Sequence, residues 1–147
     1  MTPCACPCAS LMIRKSRDDP TIYVIQHYFL PQKKIDQLDE HNTQEAPYKL
    51  WRDRGLLTVC DGNRVDYSAV TEWFCQMRDE YKIDAFKVGY DRALAGYWVD
   101  EMKANGFEMC AVAQGPFTWS QPMREMGAAL ADKKVNYNKN PVLVWCL

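Results

Sequence analysis

The stretch DAFKVGYDRALAGYWVDEMKANGFEMCAVA, residues 84–113, decides the fold. DAFKVGY (84–90) reads as a strand. In RALAGYWVDEMKANG (92–106), Leu94, Trp98 and Met102 recur at helical spacing, and Gly106 stands where a helix C-cap favours glycine. FEMCAVA (107–113) reads as a second strand. A strand–helix–strand unit places its two strands side by side and parallel. Asp91 closes the first of them. Open α/β sheets hold their sites at the carboxyl ends of such strands.

The pattern extends outward from this unit in both directions. Upstream, DYSAVTEWFCQMRDEYK (66–82) carries Val70, Trp73, Phe74, Met77 and Tyr81 at helical spacing, with Asp66 able to cap the helix. A stripe of Met and aromatic residues like this one reads as core rather than as a cofactor site. GLLTVC (55–60) is a short strand and DGN (61–63) a turn. Residues 31–54 are charged and partly helical, with Ile35, Leu38, Leu50 and Trp51 as apolar anchors. CASLMIRKS (8–16) and TIYVIQHYFL (21–30), joined by the turn signal RDDP (17–20), predict an antiparallel hairpin. Downstream, QGPFTW (114–119) reads as a loop. SQPMREMGAALADKK (120–134) reads as a helix with Ser120 as N-cap and Pro122 in its first turn. VNY (135–137) is a short strand, and NPVLVWCL (140–147) begins another apolar element. The sum is a mixed sheet flanked by helices: antiparallel first strands, then parallel βαβ units.

The chain's 147 residues suit a single domain, and a hydrophobic share of 48% can fill its core. No apolar run approaches the roughly 20 residues that span a bilayer, and MTPCACPCASLMIRKS lacks the basic start of a signal peptide. A soluble intracellular protein is expected. The formal net charge of −1 gives no global attraction to nucleic acid. A local patch is the alternative, and DKKVNYNKN (132–140), with Lys133, Lys134 and Lys139, is the candidate; the same residues read equally well as a solvated loop. No GxxxxGK[ST] phosphate loop is present. Of seven cysteines, Cys60, Cys75, Cys110 and Cys146 lie in apolar segments and are expected to be buried thiols. Cys4, Cys6 and Cys8 alternate in CACPC, which departs from the usual zinc spacing and has no matching histidine pair.

Five segments in order resemble the nuclease part of the large subunit of tailed-phage terminases. They are PYKLW (47–51), GNRVDY (62–67), Tyr90–Asp91, QGPFTWSQPM (114–123) and NPVLVW (140–145). No one of them is specific; their order and spacing together are, over residues 20 to 147. The resemblance implies an RNase H-like fold, here truncated at one or both ends. It implies cleavage of concatemeric viral DNA in the host cytoplasm during genome packaging. It also implies Mg²⁺ or Mn²⁺ as cofactor, and double-stranded viral DNA, the terminase ATPase domain, the small subunit and the portal as partners.

Asp91 matches the family's strand-end acid and is the candidate catalytic metal ligand. It also suits the N-cap of the helix that follows, and the two roles can coexist. The resemblance places a second acid on a first strand, where this chain has Thr2, Pro3 and Cys4, and a third on a helix beyond Leu147. Asp61, Asp66, Asp84 and Asp100 do not stand where they would replace either one. A fragment with weak or no nuclease activity is expected. The alternative is a non-catalytic remnant that binds DNA or another packaging protein.

Overall fold

A computed structural model of the chain describes residues 8–39, 47–94 and 96–146. The chain divides into two compact units, Met1–Asp66 with Asn136–Leu147, and Tyr67–Val135.

In the first unit, β1 (Cys8–Ile13) and β2 (Ile22–Pro31) form the expected antiparallel hairpin, in register from Cys8↔Tyr28 to Ile13↔Tyr23. Asp19 organises the turn. Its carboxylate accepts the Thr21 N–H at 2.9 Å and the Tyr23 hydroxyl at 3.1 Å, and these bonds, that of Thr21 foremost, hold its carboxyl below the ordinary aspartate range. Two helices follow, α1 (Gln32–Asp39) and α2 (Tyr48–Asp53), and then β3 (Leu57–Cys60). This crossover returns β3 parallel to β2, from Tyr28↔Leu57 to Pro31↔Cys60. Along this path β1 and β2 are antiparallel and β2 and β3 parallel. The short β6 (Val135–Asn136) also pairs β2.

Period-2 alternation puts Tyr28, Leu30 and Leu57 on one sheet face, where they pack with Ile35, Tyr48, Trp51 and Val142. Ala9, Leu11 and Phe29, on the opposite face, are buried as well. Val142 belongs to α6 (Pro141–Cys146), so the apolar element that begins at NPVLVW is a helix built into this core. Asn140 caps it, its Oδ1 accepting the Val142 N–H at 2.9 Å, and Pro141 takes the first helical position. The side chain of Leu38 lies outside the described residues. Leu50, the other expected anchor of this region, is 47% exposed, on the outer side of the short α2.

In the second unit, α3 (Tyr67–Asp79) buries Val70, Thr71, Trp73, Phe74 and Met77. Tyr81 was expected in this stripe, but the helix stops at Asp79 and Tyr81 is 59% exposed. Next come β4 (Val88–Asp91), α4 (Trp98–Ala104) and β5 (Met109–Val112), the strands parallel and in register from Val88↔Met109 to Asp91↔Val112. The anticipated single helix over 92–106 is two pieces, a 3₁₀ turn at Arg92–Leu94 and then α4. The Asp91 carboxylate accounts for the break: it takes the Ala93 N–H, a bond that competes with regular helix. Arg78 ties α3 to the end of α4, donating to the Asn105 carbonyl at 2.6 Å and lying over the Phe107 ring. Phe107 meets Phe74, and Met102 is wholly buried.

The last helix of this unit, α5 (Pro116–Ala131), starts one turn earlier than expected. Pro116 occupies the first helical position, for which its fixed φ is suited, and Gly115 is the N-cap. Ser120 consequently lies inside the helix and donates to the Pro116 carbonyl, and Pro122 is interior.

Three helices end alike. The N–H of the third residue past the helix reaches back five positions in α2, α4 and α5: Leu56 to Trp51, Phe107 to Met102, and Lys134 to Ala129. The residue before each of these adopts a left-handed conformation. It is Gly55 (φ 68°) and Gly106 (φ 87°) in the first two cases, and Lys133 (φ 57°) in the third.

Among the four cysteines expected to be buried thiols, Cys60 is buried and Cys75 half-buried. Cys110 and Cys146 are exposed, because Cys110 points to an open face of β5 and Cys146 ends α6. Cys4 and Cys6 lie outside the described residues, and Cys8 is exposed at the start of β1. Among the described residues no helix is long and apolar enough to cross a membrane.

Candidate functional site

Asp91 is the last residue of β4 and is half-buried beside Val112, the last residue of β5. Its Oδ1 accepts the Ala93 N–H at 2.9 Å. The capping role inferred from sequence therefore exists, as an Asx turn that opens the 3₁₀ segment. Gly89 shares the Asp91 face of the strand. A Cβ there would stand 3.2 Å from a Val112 methyl, so glycine lets the two strand ends approach closely.

Asp61 and Asp84 are exposed in connecting segments, and Asp66 directly precedes α3. Asp100 is exposed in the first turn of α4, where its charge suits the helix N-terminus. Among the described residues no group of three or more His, Cys, Asp or Glu side chains could hold a metal ion. A pair of hard cations needs several oxygen ligands. Asp91, with one oxygen already hydrogen-bonded, does not provide them alone, so the described residues do not by themselves fit a two-metal centre.

The three candidate lysines are exposed. Lys133 and Lys134 end the second unit just past α5, and Lys139 lies in the first unit. Lys134 pairs with Asp132 at 2.8 Å. Asn138 and Lys139 both have positive φ, and the Asn140 N–H donates to the Tyr137 carbonyl at 3.2 Å, which makes a type I′ turn.

The structure adds a pair that the loop reading of QGPFTW concealed. Gln114 stands two residues past the end of β5, and its Oε1 accepts the Trp119 indole N–H at 3.1 Å. Once α5 begins at Pro116, residues five apart can meet across the strand-to-helix corner; the legible signal was Pro116 itself.

A family model described as "Terminase large subunit, endonuclease domain" matches residues 8–147. The chain belongs to this family. The chain is similar to the large terminase subunit of Enterobacteria phage HK97, with 26% identity over 144 residues, 93% of the chain and 27% of that protein. It is also similar to protein YmfN of Escherichia coli K12, with 28% identity over 119 residues, 77% of the chain and 24% of that protein. The chain thus spans about a quarter of the length of these curated relatives. The crystal structure of the HK97 large terminase superposes with a TM-score of 0.75 at 24% identity, over 92% of this chain and 28% of that one. The RNase H-like mixed α/β fold expected of the terminase nuclease agrees with this match.

Proposed function

We propose that the chain is the nuclease portion of a phage or prophage terminase large subunit, serving metal-dependent cleavage of concatemeric viral DNA during packaging. One observation carries this reading: in a chain of the terminase endonuclease family, a half-buried carboxylate, Asp91, ends a parallel strand. Asp91 is then a catalytic Mg²⁺ or Mn²⁺ ligand, one of several that a phosphodiester-cleaving centre needs. Double-stranded DNA is the substrate. The terminase ATPase domain, small subunit and portal are the expected partners. Because one carboxylate holds a hard cation weakly, this chain alone has weak or no nuclease activity. Incubation with supercoiled plasmid and Mn²⁺ tests this, and strong cleavage that Asp91→Ala abolishes would show a complete site.

A second reading, a non-catalytic remnant that binds DNA or another packaging protein, is favoured by the exposure of Lys133, Lys134 and Lys139, the first and last of them in left-handed turns. Binding to phosphates through Lys133, Lys134 and Lys139 weakens steeply with salt. Absence of duplex binding at low salt would remove the DNA form of this reading.

A further inference from the structure

Gln114 and Trp119 make an arrangement that neither the Asp91 site nor the lysines explain. An indole nitrogen is a donor only. The group facing Trp119 must therefore be the amide oxygen of Gln114, which removes the usual ambiguity between amide O and N. The Gln114 Nε2, with both its hydrogens, then points away from the indole. No other hydrogen bond engages this amide among the described residues, and Gln114 is exposed. Trp119 is itself held in place: its backbone N–H donates to the Gly115 carbonyl at 3.1 Å within the first turn of α5. The bond to the indole restricts a long, flexible side chain before any ligand arrives, which lowers part of the ordering entropy that binding would otherwise cost.

The position is informative. β4 and β5 are parallel with Asp91 opposite Val112, and Gln114 follows Val112 by two residues. Gln114 thus stands in the segment that leaves the strand ending opposite Asp91. We infer that Gln114 contacts a phosphate of bound DNA at this site and that Trp119 is the residue that positions it; this rests on the DNA-cleaving reading above. A neutral donor has a specific advantage here. An amide donates to the non-bridging phosphate oxygens and leaves the Asp91 charge available. The contact is independent of base sequence, as phosphate contacts are.

The test is fluorescence anisotropy of a labelled DNA duplex with the whole chain at low salt in EDTA, for wild type, Gln114→Ala, Gln114→Glu, Trp119→Phe and the Gln114→Ala/Trp119→Phe double variant. Gln114→Ala is expected to weaken binding about three- to tenfold, the loss of one or two solvent-exposed hydrogen bonds from a neutral donor. Gln114→Glu keeps an acceptor for the indole but turns a negative oxygen toward the phosphate, and weakens binding by more than Gln114→Ala. Trp119→Phe weakens binding in the same direction, and the double variant binds no worse than Gln114→Ala alone, since Trp119 acts through Gln114. The slope of affinity against salt stays unchanged in Gln114→Ala, because no charge is removed. Wild-type binding accompanied by Gln114→Ala and Gln114→Glu affinities within twofold of it would overturn the assignment of Gln114 while leaving the DNA reading in place. Loss of affinity in Trp119→Phe that adds to that of Gln114→Ala would overturn the positioning role. Failure of the wild type to bind duplex at low salt would remove the DNA reading, and this inference with it.

Discussion

Trp51 of α2 meets Trp145 of α6 edge to face, with ring centroids 6.1 Å apart and planes at 69°. The contact fastens the last helix to an element in the first half of the chain. Val142, one turn before Trp145, is 1% exposed in the same core. Trimming it to alanine removes two methyl groups from a filled space. Val142→Ala should cost about 1–3 kcal/mol, whereas Trp145→Ala, at a half-exposed ring, should cost no more than about 1 kcal/mol. Urea unfolding reads both. A Val142→Ala midpoint equal to wild type would mean that α6 is not part of the cooperative unit.

Asp91 combines an Asx turn with a charge, and two substitutions separate them. Asp91→Asn keeps the oxygen that accepts the Ala93 N–H and should leave stability within about 0.5 kcal/mol, while Asp91→Ala loses the cap and about 1 kcal/mol. Both should remove whatever Mn²⁺ affinity the chain has. Thermal melts give the first quantity and calorimetric Mn²⁺ titration the second. Undiminished metal affinity in Asp91→Asn would exclude Asp91 as the ligand.

Lys133 holds the left-handed position that Gly55 and Gly106 hold at the ends of α2 and α4. That conformation costs an L-residue about 1–2 kcal/mol, and glycine returns roughly 0.5–1 kcal/mol of this through the freedom it adds to the unfolded chain. Lys133→Gly should therefore stabilise the chain by about 0.5–1 kcal/mol. If Lys133 also meets DNA, the same change weakens duplex binding and lowers the salt slope by about one. Denaturation and anisotropy measured on one preparation decide whether stability and binding move in these opposite directions.

His27 of β2 is bonded through Nε2 to the Thr58 hydroxyl of β3 at 2.8 Å, and burial lowers its pKa below the ordinary value of 6.5. The folded chain therefore favours the neutral ring, while the unfolded chain takes up a proton first as pH falls. The contribution of His27 to stability is whole above 6.5 and is lost as pH falls through the lower folded value. His27→Gln, which keeps a partner for Thr58 without titrating, should flatten the dependence of the urea midpoint on pH between about 5 and 7. An unchanged pH profile would place the titration elsewhere.

Much of this was legible in the sequence. Among the described residues, alternation and helical spacing located the strands and most helices, and Gly106 marked the end of α4. The misreadings were local competitions. Pro116 started α5 before Ser120 could cap it, and the Asp91 carboxylate broke the 92–106 helix at its first turn. Tyr81 kept the helical spacing of its stripe but lies two residues past the end of α3.

The sequence by itself determined the order of elements, the family and the place of Asp91 at a strand end, because periodicity and capping act over a few neighbouring residues. Only the tertiary structure decided that β3 runs parallel to β2, that Cys60 is buried while Cys110 is open, and that Val142 joins the core of Tyr28 and Trp51. It also decided which way the Gln114 amide faces. Each of these depends on a partner that the fold supplies, and no local pattern encodes where that partner will be.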